Sequence, residues 1–302
     1  INQLNTKYQH AMRYKEIINI LIKYGFGYII EKIGINLPKG LNKRVEKEYN
    51  VSVPQKVVLM LQELGPTFIK LGQILSTRPD LIPKDYLDEL KTLQDSVAPI
   101  SFEEVKQLIE EELVLPIEEA FSFFEKEPLA AASIGQVHRA KLRDGQRVVV
   151  KVRRPNIEKI VAIDLEILLS IARQVEKRIP ETKIYDPVGK IEEFSQALVK
   201  ELDFIREGLN IDKFRENFSS DETIHVPKVF WELTTQKIIT IEYIQGCKIT
   251  EFHSISKMGL NRKKIATNCA KAMMKQIFIH GFFHGDPHPG NIFIMSDGRI
   301  VF

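Results

Sequence analysis

The fold is indicated first by the stretch AAASIGQVHRAKLRDGQRVVVKV, which runs from Ala130 to Val152. The segments Leu129 to Leu142 and Arg147 to Val152 are rich in apolar residues, and the polar Arg143-Asp-Gly-Gln146 separates them. An Asp-Gly pair between two such segments is a strong hairpin signal, because glycine readily takes the positive φ of a tight turn. We therefore predict a β-hairpin near the middle of the chain.

Helical periodicity surrounds this hairpin on both sides. We predict helices over 57–76 (with a break at Gly65-Pro66), 83–94, 101–113, 116–125, 157–178, 191–209 and 265–280. We predict strands over 226–233 and 237–244, and a second hairpin from 291–295 and 299–302 around another Asp-Gly pair. Helices and hairpins in this order predict the α+β class.

The composition is that of an ordinary globular protein, with 302 residues, of which 44% are hydrophobic and 27% charged. The 43 basic and 40 acidic residues leave a net charge of +3, which is too small to indicate binding to nucleic acid. The two cysteines, Cys247 and Cys269, indicate a reducing compartment without disulfides. We expect both to be packed side chains rather than reactive thiols.

The sequence contains no run of the roughly eighteen apolar residues that a membrane span needs. The segment Ile17 to Ile30 is amphipathic, which is compatible with a packed helix or with a helix lying on a membrane surface. The chain begins without Met and ends abruptly at Phe302, and we expect it to be a piece of a longer protein.

The first strand of the predicted hairpin has the spacing of a kinase glycine-rich loop, GxGxxGxV, with alanines at the first two glycine positions. An alanine restricts φ and adds a methyl group, so any grip on nucleotide phosphates would be stiffer or altered. The candidate nucleotide contacts are Ala130, Ala131, Ala132, Ser133, Gly135 and Val137. The alternative is a strand of small residues packed tightly against a helix.

The second strand ends in Val148-Val-Val-Lys151, the pattern of the kinase lysine that holds nucleotide phosphates. A lysine on an apolar strand needs an acidic partner unless that strand lies at an edge and Lys151 faces solvent. Candidate carboxylates follow in Glu201-Leu-Asp203-Phe-Ile-Arg-Glu207, where Asp203 and Glu207 are expected to share a helix face. The alternative is a solvated acidic face.

The segment His284-Gly-Asp286 and Asn291 reproduce the spacing H-R-D-x-x-x-x-N of kinase catalytic loops. Asp286 is the candidate acceptor of a proton from the attacking hydroxyl, and Asn291 the candidate ligand of Mg²⁺, which prefers oxygen ligands. His284 and His288 could instead indicate zinc, but a third ligand at a familiar spacing is missing. A kinase Asp-Phe-Gly, with a further metal ligand, is expected beyond Phe302, so we expect this polypeptide alone to be an incomplete catalyst.

Together these residues resemble the UbiB/aarF-type atypical kinases, a branch of the protein-kinase-like superfamily. Phe68-Ile-Lys70-Leu-Gly72-Gln73 looks like the KxGQ motif of that family, and Ala130 to Val137 looks like its Ala-rich loop. Glu201 and Asp203 look like its ExD motif, and His284 to Asn291 like its catalytic loop. The resemblance covers roughly residues 59–302.

The resemblance implies a protein-kinase-like fold in which Lys151 contacts both Glu207 and the nucleotide phosphates. It also implies that Asp286 is the catalytic aspartate, that Asn291 is a metal ligand and that Glu242-Tyr-Ile244 is the hinge. In that hinge Glu242 and Ile244 would contact adenine.

The resemblance further implies a regulatory role for the N-terminal part. Lys70 and Gln73 would reach into the active site near Glu201 and Asp203. From the residues alone, a surface lysine on an amphipathic helix remains an equally open interpretation of Lys70.

The implied domains are a helical extension over 1–126, a kinase-like N-lobe over 127–244 and the start of a C-lobe over 245–302. The 56 positions between Lys151 and Glu207 exceed what a standard N-lobe needs, which predicts a helical insertion over about 155–190. Two further departures are Gly285, where protein kinases have arginine, and His288, where they often have lysine. Both disfavour an ordinary protein kinase.

The implied function is that of an ATPase or a small-molecule or lipid kinase that uses ATP, or another adenine nucleotide, and Mg²⁺. The family is tied to isoprenoid-quinone (ubiquinone) biosynthesis, so the expected partners are a nucleotide, a lipid or prenylated quinone precursor and a membrane surface. The expected location is the cytoplasmic side of a membrane, either peripheral or anchored by other segments. The alternative is a nucleotide-binding regulatory module without turnover, and an ordinary protein kinase ranks last.

Overall fold

A computed structural model of the chain describes residues 2–34, 51–95, 97–285 and 288–302. The chain divides into two compact units, each made of three segments. Unit 1 consists of Ile1–Ser101, Ala130–Gln136 and Arg153–Leu202, and unit 2 of Phe102–Leu129, Val137–Val152 and Asp203–Phe302.

Twelve α-helices lie in the described part of the chain. They are α1 Asn2–Lys23, α2 Gly27–Lys32, α3 Val53–Leu64, α4 Pro66–Leu75, α5 Lys84–Leu90, α6 Phe102–Leu113, α7 Ile117–Ala120, α8 Ile157–Arg178, α9 Pro187–Glu201, α10 Phe204–Asn217, α11 Phe252–Lys257 and α12 Arg262–Lys275. Short 3-10 turns occur at Lys91–Asp95, Pro180–Tyr185, Trp231–Leu233 and Pro289–Asn291, and a π-helical turn at Gln276–His280.

The described residues also form nine short strands. They are β1 Phe123–Phe124, β2 Ala130–Ala131, β3 Gly135–Lys141, β4 Arg147–Arg153, β5 Ile224–His225, β6 Ile238–Glu242, β7 Gly246–Lys248, β8 Phe293–Met295 and β9 Ile300–Val301.

Unit 1 is a helical body built from α1 to α5, α8 and α9. Its core joins buried side chains of α1, α3, α4, α5 and α8. Gly65, with φ of 94°, separates α3 from α4, so the break predicted at Gly65-Pro66 is confirmed. A Cβ at Gly72 would lie 2.4 Å from Leu93 Cδ1 and 2.8 Å from Leu61 Cδ1, so close helix packing requires glycine at this position.

The segment predicted to be amphipathic, Ile17 to Ile30, contributes to this core. Ile17, Ile20 and Ile30 are all buried, because they lie on the face of α1 and α2 that is turned toward the other helices of the unit. Within the described residues, none of the helices combines the length and the apolar character that a bilayer span requires.

Unit 2 contains two sheets. The first has the strand order β1–β3–β4–β6, and its β4–β6 pairing is antiparallel, with Lys151 opposite Ile239. The second has the order β5–β9–β8–β7. A separate apolar core in this unit is formed by side chains of helices α10 to α12 and of the second sheet, among them Phe214, Ile255 and Ile294.

The predicted single helix over 191–209 is wrong, because the chain forms two helices, α9 and α10, with Leu202 and Asp203 between them. Apolar periodicity continues through the break because Leu198 and Phe204 are both fully buried, one on each helix. Asp203 is the N-cap of α10: its Oδ1 accepts a hydrogen bond from the Ile205 N–H at 3.1 Å. Asp203 is therefore not part of an acidic helix face shared with Glu207.

Two other predicted elements are absent or much shorter than expected. The strand expected over 226–233 does not form: β5 ends before it at His225, and the stretch holds only an isolated bridge between Val229 and Ile241 and the 3-10 turn Trp231–Leu233. Pro227 has no N–H to donate to a strand ladder. The helix expected over 116–125 ends at Ala120, since the aromatic residues that follow start β1.

Several predictions are confirmed within a residue or two. Helix α8 has the predicted bounds, Ile157–Arg178, and both Asp-Gly hairpins form. The predicted insertion packs within unit 1, with the helices that precede residue 101. The domain boundaries that the resemblance implies, near residues 126 and 244, stay a prediction.

The cysteines are packed side chains, as expected. Cys247 is buried and both thiols are free of disulfides. Burial raises the pKa of the Cys247 thiol and of the Cys269 thiol, so neither is activated as a nucleophile.

Candidate active site

Lys151 and Glu207 form an ion pair in unit 2. The Lys151 Nζ lies 2.8 Å from Glu207 Oε2 and 3.1 Å from Oε1, and it stands 4.7 Å from the centre of the Phe204 ring. Strand β4 lies between β3 and β6, so the alternative of a solvent-facing edge strand is excluded. The Lys151 ammonium thus has an acidic partner and lies over an aromatic ring, while its side chain remains 28% exposed.

Glu207 is placed by the first turn of α10, which is fixed from three directions. Asp203 caps the helix, and the Phe204 N–H donates to the Gln236 carbonyl at 3.2 Å. A Cβ at Gly208 would lie 2.8 Å from Trp231 Cη2, so the indole packs directly against the helix backbone. These contacts hold the carboxylate under the sheet where Lys151 reaches it.

The predicted hinge starts at Glu242, the last residue of β6. The Glu242 carboxylate accepts from His225 Nε2, with both oxygens at 3.1 Å, and from the Lys228 N–H at 3.2 Å. Arg299 Nη1 donates to His225 Nδ1 at 3.2 Å, which requires the imidazole proton to be on Nε2. His225 therefore links Glu242, at the start of the predicted hinge, to Arg299, which precedes β9.

The candidate catalytic loop is anchored at its first residue. The His284 N–H donates to Gln276 Oε1 at 2.9 Å, and the Asn291 N–H donates to the His288 carbonyl at 2.8 Å. Asp286, the candidate catalytic aspartate, lies outside the described residues. Three or more His, Cys, Asp or Glu side chains do not meet anywhere in the described residues, which gives no support to the zinc alternative.

The candidate regulatory residues of unit 1 lie on α4 and α9. The Lys70 ammonium forms an ion pair with Glu201, so the last residue of α9 holds the KxGQ lysine. Gln73 Nε2 instead donates to the Leu93 carbonyl at 3.1 Å. The two residues of the motif thus have different partners within this unit.

The Ala-rich loop also belongs to unit 1 and is braced by hydrogen bonds of its own. The Ala132 N–H donates to the Gly135 carbonyl at 2.8 Å, and Arg154 Nε donates to the Ala132 carbonyl at 3.1 Å. Ser133 and Gln136 are buried, and Gln136 Oε1 accepts from the Ile100 N–H at 2.9 Å. Ala130 and Ala132 are exposed, so the start of the loop is the part that a ligand can approach.

Comparison with known families gives a match that covers these residues. The family model of the ABC1 atypical kinase-like domain matches residues 92–302, which contain Lys151, Glu207 and the loop that ends at Asn291. The chain belongs to the ABC1 atypical kinase-like family.

Curated relatives place this ABC1 chain among known proteins. It is 45% identical over 240 residues to ACTIVITY OF BC1 COMPLEX KINASE 7, chloroplastic, of Arabidopsis thaliana, covering 80% of this chain and 34% of the relative. It is 38% identical over 291 residues to Probable protein kinase UbiB of Aliivibrio fischeri, covering 94% and 54%. The chain therefore spans between a third and about half of the length of these relatives.

A solved structure shares the fold of the ABC1 chain. Rv3197 of Mycobacterium tuberculosis, determined in complex with erythromycin, superposes with a TM-score of 0.57 at 28% identity. The match covers 82% of this chain and 61% of that one. The expected kinase-like fold and the UbiB resemblance are both confirmed.

One residue of the ABC1 site is absent from the sequence-based predictions. Gln276 is fully buried, its Nε2 lies 3.5 Å from Met273 Sδ, and its backbone carbonyl accepts from the Phe282 N–H at 3.1 Å. It begins a π-helical turn, a distortion that often occurs at functional sites. The sequence does contain one indication of it, because Gln276 is a polar residue on the apolar face of the helix predicted over 265–280.

Proposed function

We propose that this ABC1 chain carries the nucleotide-binding part of an ATP- and Mg²⁺-dependent atypical kinase or ATPase that supports isoprenoid-quinone (ubiquinone) biosynthesis. The observation that carries the proposal is the ion pair between Lys151 and Glu207 on an inner strand. Such a pair orients an ammonium toward phosphate oxygens in kinase sites. The relatives named UbiB support the connection with quinone biosynthesis.

The residues of the chain suit a nucleotide and a hard cation. Lys151 would hold phosphate oxygens, and the backbone of Glu242 and Ile244 would contact the adenine ring. Asn291 would supply an amide oxygen, a hard donor that suits Mg²⁺, and the bound cation would neutralise phosphate charge. Asp286 would accept the proton of the attacking hydroxyl or water.

The substrate and location follow as parts of the same proposal. A lipid or prenylated quinone precursor is the proposed acceptor, reached at the cytoplasmic surface of a membrane, and nucleic acid is not a proposed partner. A protein substrate is disfavoured, because Gly285 stands where protein kinases have arginine and His288 where they often have lysine.

A second candidate is a regulatory module that binds nucleotide without turnover. The observation that favours it is the ion pair between Lys70 and Glu201, since it occupies a carboxylate of the ExD motif. The alanines at positions 130 and 132 also favour the regulatory module, because they restrict the backbone of the Ala-rich loop.

One experiment separates the two candidates. The thermal stability of the full-length protein is measured with ATP, with and without Mg²⁺, and phosphate release is assayed in the same samples. Ligand at one hundred times its dissociation constant should add roughly 2.7 kcal/mol to the free energy of unfolding. Stabilisation with release supports the enzyme, and stabilisation without release supports the regulatory module.

Two variants assign the roles. Lys151→Met should remove the stabilisation by ATP, whereas Lys159→Met, at an exposed lysine of α8, should keep it. Asp286→Asn should abolish phosphate release and leave nucleotide binding largely intact. Stabilisation that survives in Lys151→Met, or release that survives in Asp286→Asn, would contradict the assigned roles.

A further inference from the structure

A small pocket lies on the first sheet of unit 2, apart from the Lys151–Glu207 pair. Its volume is about 320 Å³, and its charged and aromatic lining comes from β1, β3, β4 and the residue after β6. The lining side chains are Phe123, Glu125, Arg139, Lys141, Arg147 and Tyr243. Arg147 precedes Lys151 by four residues on β4, so the Cα atoms of the two residues lie about 13 Å apart.

Strand register explains why these side chains meet. Phe123 pairs with Lys141, and the hairpin hydrogen bond from the Leu142 N–H to the Gln146 carbonyl brings Lys141 next to Arg147. Val148 pairs with Glu242, and the Tyr243 N–H donates to the Arg147 carbonyl at 3.0 Å. Four side chains therefore form a row across the sheet, with an aromatic ring at each end and two cations between them: Phe123, Lys141, Arg147 and Tyr243.

The charged side chains of the pocket are predominantly positive. Three cationic side chains face one carboxylate, that of Glu125, whose Oε2 lies 3.7 Å from Arg139 Nη1. Arg147 Nη2 donates to the neutral amide of Gln245 at 2.6 Å. Among the residues that the structure describes, no carboxylate forms an ion pair with the Lys141 ammonium.

The two guanidinium groups are held in place by one aromatic ring. Arg139 and Arg147 each lie 5.7 Å from the centre of the Tyr243 ring. Stacking on an aromatic ring fixes the planar guanidinium, so less conformational entropy is lost when it donates to an oxyanion. Phe123 closes the other end of the row and remains 54% exposed.

We propose that this pocket binds a phosphate group, held by Arg139, Lys141 and Arg147 between the rings of Phe123 and Tyr243. A guanidinium can donate two parallel N–H bonds to the oxygens of one phosphate, so an arginine suits this ligand. The phosphate could belong to a lipid headgroup or to a soluble organic phosphate, since both present the same oxygens. Binding there does not depend on the proposed kinase function.

The test uses two probes and matched variants of the intact chain. Soluble phosphate is represented by glycerol 3-phosphate, with affinity measured by calorimetry. Lipid phosphate is represented by phosphatidylcholine vesicles with and without phosphatidylglycerol, with binding measured by co-sedimentation. The pocket variant is Arg139→Gln with Arg147→Gln, and a second variant, Lys141→Gln, removes a charge without breaking an ion pair among the described residues.

The control variant is Lys126→Gln, an exposed lysine close to β1 that stands 5.5 Å from the Phe102 ring and does not line the pocket. We expect Lys141→Gln to weaken binding of the effective probe by about tenfold, the loss of one charge-assisted hydrogen bond, and the double arginine variant, which removes two charged donors, to weaken it by about a hundredfold. Lys126→Gln and Lys151→Met should keep the wild-type affinity for that probe.

Each outcome decides the proposal. Loss of glycerol 3-phosphate binding in the pocket variants identifies a soluble phosphate as the ligand. Loss confined to phosphatidylglycerol vesicles identifies a lipid headgroup. Equal weakening in Lys126→Gln would show general attraction between charged surfaces and overturn the proposal, and so would the absence of binding to both probes. A loss in Lys151→Met would assign the phosphate to the nucleotide site instead.

Discussion

Each unit of the molecule contains one partly buried lysine–glutamate pair that the motifs single out, and the two pairs are built differently. In unit 2, Lys151 extends from an inner strand and meets both oxygens of Glu207 above an aromatic ring. In unit 1, Lys70 extends from a helix and meets one oxygen of Glu201 at the end of another helix. The first pair is fixed by a sheet and a capped helix, whereas the second can separate when a single helix end moves.

The difference suggests distinct purposes for the two pairs. A rigid ammonium is what phosphate binding requires, because positioning supplies much of the rate enhancement of phosphoryl transfer. A pair whose carboxylate is carried by the last residue of a helix suits a contact that is made and broken. Substitutions at five positions in the chain test the roles of these residues.

The largest effect is expected at Glu207. Glu207→Gln leaves Lys151 without a charged partner among the described residues, so turnover should fall by about a hundredfold, as for other preorganised charge contacts. The free energy of unfolding should change by less than about 1 kcal/mol, since the pair is partly exposed. Steady-state phosphate release and chemical denaturation measure the two quantities. Turnover that is unchanged would remove Glu207 from the site.

A smaller effect is expected at Lys70. Lys70→Ala or Lys70→His should change nucleotide preference or autophosphorylation by about fivefold, which corresponds to the ~1 kcal/mol of a partly exposed ion pair. Autophosphorylation and competition between ATP and other nucleotides provide the measurement. Lys84→Ala, at an exposed position of α5, is the control. If both Lys70 variants behave like this control, the pair has no regulatory role.

The helix caps offer a matched pair of substitutions. Asp203 caps α10 four residues before Glu207, and Asp186 caps α9 fifteen residues before Glu201, with Asp186 Oδ1 accepting from the Gly189 N–H at 3.1 Å. Asp203→Ala and Asp186→Ala should each cost about 1 kcal/mol of stability.

The cap variants differ in their expected effect on activity. Asp203→Ala should also lower turnover, because it loosens the turn that carries Glu207. Denaturation and phosphate release on the same preparations test this, and an equal loss of turnover in Asp186→Ala would show that stability alone governs the effect.

The smallest effect is expected at His138, which is buried in the sheet beside β4. Burial lowers its pKa, although its Nδ1 lies 2.8 Å from the Glu125 carbonyl. A lowered folded-state pKa means that the unfolded chain binds the proton more readily. Stability should therefore be full above pH 6.5 and should decrease as the pH falls below this value toward the folded-state pKa.

Unfolding by denaturant at a series of pH values measures this dependence. His138→Gln should flatten the stability profile below pH 6.5, whereas His253→Gln, at an exposed residue of α11, should leave it unchanged. An identical slope in wild type and His138→Gln would assign the pH dependence to another group.

The phosphate pocket extends the comparison to a third group of cations. Arg139, Lys141 and Arg147 come from two adjacent strands, and in the sequence they look like ordinary polar positions of a hairpin. Their convergence with Phe123 and Tyr243 depends on strand register, which a single sequence specifies weakly.

The order of the secondary-structure elements and the candidate site residues can be recognised in the amino-acid sequence, because both depend on local patterns. These patterns are the Asp-Gly turns, the lysine at the end of Val148-Val-Val-Lys151 and the spacing from His284 to Asn291. The same holds for α8, whose long amphipathic period predicts both of its ends.

The partners that these residues take depend on tertiary packing. Three carboxylates lie within seven positions, and apolar periodicity alone placed them on one helix. In the folded chain the helix breaks at Leu202, so Glu201 pairs with Lys70, Asp203 caps α10 and Glu207 reaches Lys151.

The sequence did not predict the burial of Gln276 against the candidate catalytic loop either, because that burial depends on residues that approach from outside its own helix. Local patterns specify elements, since neighbouring residues share one backbone geometry. Pairing between distant side chains depends instead on how those elements pack against one another.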